Sequence, residues 1–512
     1  MTNTAENNKR IAKNTLLLYF RMLFMMVVSL YTSRVVLDTL GVEDYGIYNV
    51  VGGIVGMFSF INGAMSTGTQ RYLNFALGIG DPVQLRRIFN TCLNIHFILA
   101  IIIIFLAETI GLWFLCNQMN IPEERMNAAF WVYQFSIFTA AIMIISVPYN
   151  AVIIAHERMN IFAYISIVEV ILKLLIVYLL LIGKTDRLIL YAFLMLGIQI
   201  GIRILYGIYC KRHFPETEFK FVKDSGLIKE ILGFTGWNLW GSCAYIAFTQ
   251  GINILLNIFF GPTVNAARGV AAQVQNAVLQ FSVNFQTALN PQIIKSYAQK
   301  DLAYMHKLVY SSSKFTFFLL LLLTLPILLE TETILSIWLK QVPEYAVPFL
   351  RLILCISIVD AISNPLMVSA TATGQVKLYQ SVCGGILLAI VPIAYIVLKL
   401  GAPPTSVFIV HLIIGIITLI ARLIIIQKLI HLSMNSYIKI VISRIILVGA
   451  TSVIFPIIIK ILLTESLFSF IIICCTSLVS TSLCIFFIGL KTNEQRFILN
   501  KISTIATKFK HQ

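Results

Sequence analysis

Charge is what this sequence has least of. Only 12% of its 512 residues are Asp, Glu, Lys or Arg, about half the share of an ordinary soluble domain, where roughly 25% are charged. Hydrophobic residues make up 58%, and mean hydropathy is +0.88. No soluble fold has enough interior for that much apolar surface, so a soluble protein is excluded. Acid is the scarcer sign: 22 Asp and Glu face 38 Lys and Arg, a net charge of +16. There is no long basic run and no RNA-binding signature, so nucleic acid is set aside. In a membrane protein the excess base belongs in cytoplasmic loops.

Metal-ligand spacing is also missing. Nine cysteines, at 92, 116, 210, 243, 355, 383, 474, 475 and 484, are scattered through apolar runs. That placement fits small packing residues, and neither a disulfide framework nor a metal site. The N-terminal "MTNTAENNKRIAKN" is basic, but the apolar run behind it is too long for a signal-peptide core and has no cleavage pattern. It reads as an uncleaved first span with a cytoplasmic N-terminus.

What is present is a series of apolar stretches near the ~20 residues that a span requires. Fourteen appear: 14–38, 45–78, 86–116, 127–155, 160–183, 187–210, 231–260, 265–294, 308–330, 345–372, 377–399, 405–427, 438–462 and 467–490. With the N-terminus inside, the cytoplasmic segments hold 22 Lys and Arg and the outside loops 6. A miscounted helix would scramble this alternation. The outside loops are short, so no extramembrane domain exists for soluble catalysis, and an enzyme is not expected.

The basic segment 211–230 divides the chain after six spans. Shifting the second half by 220 residues places Gly41 on Gly261, Thr15 on Thr235, Thr67 on Thr287 and Asp81 on Asp301; later, Pro148 and Pro365 precede similar turns. An even number of helices between equivalent points predicts parallel repeats. The expected fold is an all-α polytopic membrane protein of about 14 transmembrane helices. It has an N-terminal six-helix lobe (1–210), a cytoplasmic basic linker (211–230), a C-terminal six-helix lobe (231–430), and two additional helices with a basic tail (431–512). The two bundles are expected to enclose a central cavity and alternate access by rocking.

The segment 40–80 holds nine glycines, but a phosphate-binding glycine loop needs a preceding strand. Here Gly52 and Gly56 form GxxxG within a span, a surface for close helix packing. Polar residues share these helices: Asn62, Ser66, Thr67, Thr69, Gln70 and Arg71 in one half, and Arg268, Gln273, Gln275, Asn276, Gln280, Asn284, Gln286 and Asn290 in the other. Such residues face protein or water rather than lipid, and amides suit sugar hydroxyls.

Arg34, Arg71 and Arg268 stand in the first two spans of a half. Guanidinium is shaped for bidentate phosphate binding, which points to an anionic, phosphate-bearing substrate. Arg34 also has Asp38 four residues on, an ion pair in reach. The substrate-binding candidates are thus Arg34, Arg71, Arg268, Gln70, Asn62, Asn284 and Asn290. Asp38, Glu108 and Asp360 are candidates for ion coupling, with a proton or sodium gradient in place of any cofactor. Glu169 pairs with Lys173.

The N-terminal stretch "NKRIAKNTLLLYFRMLFMMVVSLYTSRVVLDTLGVEDYGIYNVVGGIVGMFSF", with Leu40, Gly41, Tyr45, Gly46 and Tyr48 between the first two spans and "STGTQRY" (66–72) after them, resembles the opening of Wzx-type polysaccharide biosynthesis flippases. These belong to the multidrug/oligosaccharidyl-lipid/polysaccharide exporter superfamily. The resemblance implies translocation of undecaprenyl-pyrophosphate-linked glycan repeat units, for O-antigen or capsule, across the bacterial inner (cytoplasmic) membrane. It also implies a polysaccharide polymerase and a chain-length regulator as partners and a cavity with cationic residues, a role that Arg34, Arg71 and Arg268 fit by their placement. The alternatives are a lipid II flippase and a cation-coupled drug exporter; the latter would more often show twelve spans and an acidic cavity site.

Overall fold

The structure is a computed structural model that describes residues 2–56, 59–118, 121–180, 186–220, 224–339, 342–464, 466–492 and 494–496. It is all-α, and among the described residues there is no strand. Apolar runs of this length must satisfy every backbone N–H and C=O internally, and helices do so.

The helices gather into two compact units: Met1–Cys243 with Thr287–Leu302 and Thr371–Ser381, and Ala244–Gln286 with Ala303–Ala370 and Val382–Gln512. The first holds α1 (Thr2–Gly56), α2 (Ser59–Ile79), α3 (Pro82–Leu106), α4 (Leu112–Gln118), α5 (Glu123–Ala155), α6 (Met159–Leu180), α7 (Arg187–His213) and the start of α8 (Ser225–Phe260). Helix α5 is its centre and packs on α1, α2, α3 and α7. The unit's core gathers Phe89, Cys92, Ala151, Val152, Val177 and Tyr206. The second unit takes most of α9 (Pro262–Ala298) and α10 (Leu302–Leu329), then α11 (Thr331–Trp338) and α12 (Ala346–Thr373). It continues through α13 (Val376–Leu388), α14 (Ile390–Lys399), α15 (Ser406–Ile430), α16 (Met434–Tyr437), α17 (Ser443–Leu462) and α18 (Leu467–Cys484). Its core includes Phe248, Leu320, Phe349, Leu354 and Phe408.

Helix α3 shows how the sequence sorts its faces. Ile98, Ile101 and Phe105, at helical spacing, are 56%, 53% and 65% exposed, whereas Asn90, Cys92 and His96 are buried. The apolar face is outward, as hydrocarbon surroundings require, and the polar residues turn toward protein.

Twelve described helical stretches are long and apolar enough to cross a membrane. The expected spans 45–78 and 265–294 are the two that do not qualify. Their described residues are nevertheless helical: α9 runs unbroken for 37 residues, about 55 Å at 1.5 Å per residue. Their amides and hydroxyls lower the hydropathy, and in α9 they do so without breaking the helix.

The paired positions carry matching backbone. Gly41 and Gly261 have φ of 83° and 80°, and each interrupts the helical path. Gly80 and Lys300 have φ of 82° and 60°, each just before its aspartate, Asp81 or Asp301. Glu157 and Gly374 have φ of 58° and 78°, nine residues beyond Pro148 and Pro365. Left-handed residues close helices by bonding back to free carbonyls; the Arg158 N–H donates to Ile153 and the Asp301 N–H to Ser296, both at 3.0 Å. The Asp81 side chain accepts from the N–H groups of Val83 and Gln84 and starts α3.

Among the described residues, three π-helical turns lie within or beside spans: Ala107–Gly111, Ile438–Ile442 and Ile485–Gly489.

Candidate functional site

The expected site residues fall in both units. Arg71, Gln70, Asn62 and Asn290 belong to the first, and Arg268, Asn284 and Asp360 to the second. Asn62 and Arg71 lie nine residues apart on α2, about 13 Å along the helix. Arg268 and Asn284 are sixteen apart on α9, about 24 Å. Gln70 and Arg71 are immediate neighbours on α2. The Arg34 side chain, and with it the Arg34–Asp38 pair, lies outside the described residues; the Asp38 side chain is exposed.

Arg71 is 6% exposed, and aromatic rings hold it. Its guanidinium lies over Tyr72 at 4.4 Å, Phe75 at 5.1 Å and Phe234 at 5.3 Å from the ring centroids. Tyr72 and Phe75 follow it by one and four residues on α2; Phe234 comes from α8. The fourth side is Gly374, where a Cβ would stand 2.5 Å from Nη2. A side chain at 374 would force the guanidinium to shift, and glycine adopts the positive φ there without strain. The group borders a cavity of about 310 Å³ with Glu230, Trp237, Gln375 and Lys377. Gln70 donates to Ser66 Oγ at 3.1 Å. The buried Oδ1 atoms of Asn62 and Asn290 have no hydrogen-bond partner among the described residues.

In the second unit Arg268 donates to the Thr249 carbonyl of α8 at 3.1 Å. Asn284 donates to the Gln280 carbonyl at 2.8 Å, and Gln275 to Ser357 Oγ at 2.8 Å.

Other spanning arginines follow the same rule. Arg21 sits 4.4 Å over the Phe162 ring and Arg203 3.7 Å over Tyr149. None of Arg21, Arg71, Arg203 and Arg268 is among the ion pairs of the described residues, which include Arg10–Glu157, Lys173–Glu169 and Lys314–Glu494. Ring faces and carbonyls hold these cations; Glu169 lies within electrostatic reach of Arg21 and Glu230 of Arg71, but neither stands at ion-pair distance.

The acids each have a partner. Gln134 donates to Glu108 at 3.2 Å, beside the π turn whose Ala107 carbonyl accepts from Tyr133 at 2.7 Å. Arg422 of α15 lies within electrostatic reach of Asp360, a partner 62 residues away in sequence. Lys173 meets Glu169 at 2.6 Å, as the spacing predicts, and Gln199 joins them. No group of three or more His, Cys, Asp or Glu able to hold a metal occurs among the described residues.

Two charged hubs have no local sequence signal. Glu157, with its side chain 1% exposed, receives Arg10 Nε at 2.7 Å, Lys295 Nζ at 2.7 Å and Gln292 Nε2 at 2.7 Å. Arg125 clamps Asp44 (Nε to Oδ1, 2.8 Å) and Asp186 (Nη1 to Oδ2, 2.6 Å). Asp186 also caps α7. Partial burial opposes its charge, but the bonds from Arg125 and from the N–H groups of Ile189 and Leu188 prevail and hold the carboxyl below its ordinary range.

No protein-family model matches the sequence, and no curated protein does. Solved structures do match. A multidrug resistance MATE family transporter of the MOP superfamily, in an outward-facing conformation, superposes with a TM-score of 0.71 at 15% identity, over 83% of this chain and 96% of that one. The fold is that of the MATE transporters. A MOP superfamily transporter from Pyrococcus furiosus gives 0.69 at 14% identity, over 84% and 96%. The Vibrio cholerae MATE transporter VcmN gives 0.64 at 16%, over 85% of this chain and all of that one.

Proposed function

We propose that this chain is an exporter of the bacterial inner membrane that moves an undecaprenyl-pyrophosphate-linked oligosaccharide from the cytoplasmic to the periplasmic leaflet. The MATE fold supports the transporter part of this reading. The sign of the intramembrane charge supports the cargo part, and one observation carries it: Arg21, Arg71, Arg203 and Arg268 enter spanning helices with no carboxylate at ion-pair distance among the described residues. Such charge at membrane depth is costly unless something compensates it. A pyrophosphate head group would do so while its polyprenyl chain stays in lipid. The amides of α2 and α9 are suited to a glycan. One MATE-fold neighbour is itself described by the reversed polarity of its binding pocket, which suggested a different function for it.

A second reading, a cation-coupled drug exporter, is favoured by the description of another neighbour as a multidrug resistance transporter; Asp360 and Glu108 would then couple transport to a proton or sodium gradient. Lipid II is a third cargo, with the same phosphate chemistry.

Proteoliposomes separate these readings. Wild type is expected to move a labelled undecaprenyl-pyrophosphate oligosaccharide, and Arg71→Gln and Arg268→Gln to do so about tenfold more slowly or worse. Movement of lipid II alone would transfer the assignment to that lipid. Ethidium efflux driven by an ion gradient, indifferent to both arginines, would overturn the anionic cargo.

A further inference from the structure

A second cavity of the first unit is lined by other residues than Arg71. It has a volume of about 510 Å³, and its walls come from the start of α1, the turn between α5 and α6, and the end of α7. We propose that it binds a phosphate group carried on a hydrocarbon chain, at the level of the membrane head groups.

Charge is the first argument. The acids on the wall are Glu157 and Glu216, and both are already engaged. Glu157 takes Arg10 and Lys295, and Glu216 accepts from His156 Nε2 at 2.6 Å. Lys13 and Arg158 remain, both exposed and with no carboxylate partner among the described residues. The cavity therefore presents uncompensated positive charge.

Construction is the second argument. The Glu157 hub fixes the wall: Asn14, itself buried, donates to the Glu157 carbonyl at 3.3 Å, and the left-handed Glu157 turns the chain so that Arg158 follows directly. The Arg158 carbonyl accepts from Ile161 at 3.1 Å and so opens α6. Helix α6 thus begins on the cavity wall, where its N-terminal end adds partial positive charge. Asn160 contributes an amide.

Apolar surroundings are the third argument, and they select a lipid over a soluble anion. Leu17 and Phe214 share the lining. Leu16 and Phe20, next along α1, are 71% and 63% exposed at the start of the span that begins at Arg10. A phosphate in the cavity would have hydrocarbon beside it for its chain. The inference does not depend on which cargo the transporter carries, since either a bulk anionic lipid or a polyprenyl phosphate has this chemistry.

The test uses the purified full-length protein in a neutral maltoside detergent. Three probes are titrated by microscale thermophoresis: farnesyl pyrophosphate, dioctanoyl phosphatidylglycerol and inorganic pyrophosphate. At least one of the two lipid-borne phosphates is expected to bind saturably, and more tightly than inorganic pyrophosphate. Its affinity should fall about tenfold or more in Lys13→Gln/Arg158→Gln, equivalent to about 1.4 kcal/mol, and stay unchanged in Lys399→Gln, which belongs to the second unit. Preference for farnesyl pyrophosphate would point to a polyprenyl source, and preference for phosphatidylglycerol to the bulk membrane. No binding of either lipid, equal binding of inorganic pyrophosphate, or full affinity in the double variant would each overturn the proposal. Should the double variant not purify, Asn160→Trp, which fills the cavity from a half-buried position, supplies the same readout.

Discussion

At the scale of single residues the arginines and Glu157 represent two ways of keeping charge inside this protein. The arginines rest on ring faces and carbonyls and keep their charge available. Glu157 is saturated by two cations and an amide and serves to hold the chain together. Removing a partner from a buried pair leaves an uncompensated charge, which costs about 3–5 kcal/mol. Glu157→Gln strands Lys295, whose side chain is 18% exposed, so a loss near the lower end, about 3 kcal/mol, is expected. Arg10→Ala should cost less than about 1 kcal/mol, because the Arg10 side chain is 49% exposed and Lys295 still satisfies the acid. Thermal unfolding of the two variants in detergent, followed by intrinsic fluorescence, checks the ranking; equal losses would remove Glu157 from the role of hub.

At the scale of elements, the helix junctions repeat with different residues in the same conformation. Gly80 adopts its left-handed turn without strain and has open space where a side chain would stand, whereas Lys300 adopts the same turn with a side chain. Such a conformation costs an L-residue roughly 1–2 kcal/mol. Lys300→Gly should therefore raise stability by about 1 kcal/mol, less the added freedom of the unfolded chain, and Gly80→Ala should lower it by a similar amount. Denaturation midpoints of the two variants decide the matter, and a shift of the same sign in both would defeat it.

These junctions also show what the sequence makes legible. Glycine at 41 and 261, aspartate at 81 and 301 and the long apolar runs are local signals, and the turns and helices stand where they point. The Glu169–Lys173 pair is local too, one helical turn apart. Arg71 is half legible: Tyr72 and Phe75 lie beside it in sequence, but Phe234 and Gly374 arrive from remote helices. Glu157 is not legible, because Arg10, Gln292 and Lys295 are all more than a hundred residues away. Asp360 and Glu108 lack a charged neighbour in sequence for the same reason, and find Arg422 and Gln134 only in the folded chain.

At the scale of the whole molecule, the distribution of basic residues leads us to propose that the N-terminus is cytoplasmic and the segment around Arg125 lies on the opposite side. Cys116, exposed near the end of α4, tests this orientation with the native chain. A membrane-impermeant maleimide added to intact spheroplasts should label it, and Cys116→Ser should abolish that labelling. Labelling only after lysis would invert the topology, and with it the direction of export proposed above.

The π turns have a consequence for how the length of such a chain can change. Each holds one residue more than an α-helical turn would. Loss of a single residue from Ala107–Gly111 can be absorbed by relaxation to ordinary helix, so that everything beyond keeps its face. The same deletion elsewhere in the span would rotate all that follows by about 100° and exchange its lipid and protein surfaces. Among the described residues, these π turns are thus places where a helix can shorten by a residue without being rewound.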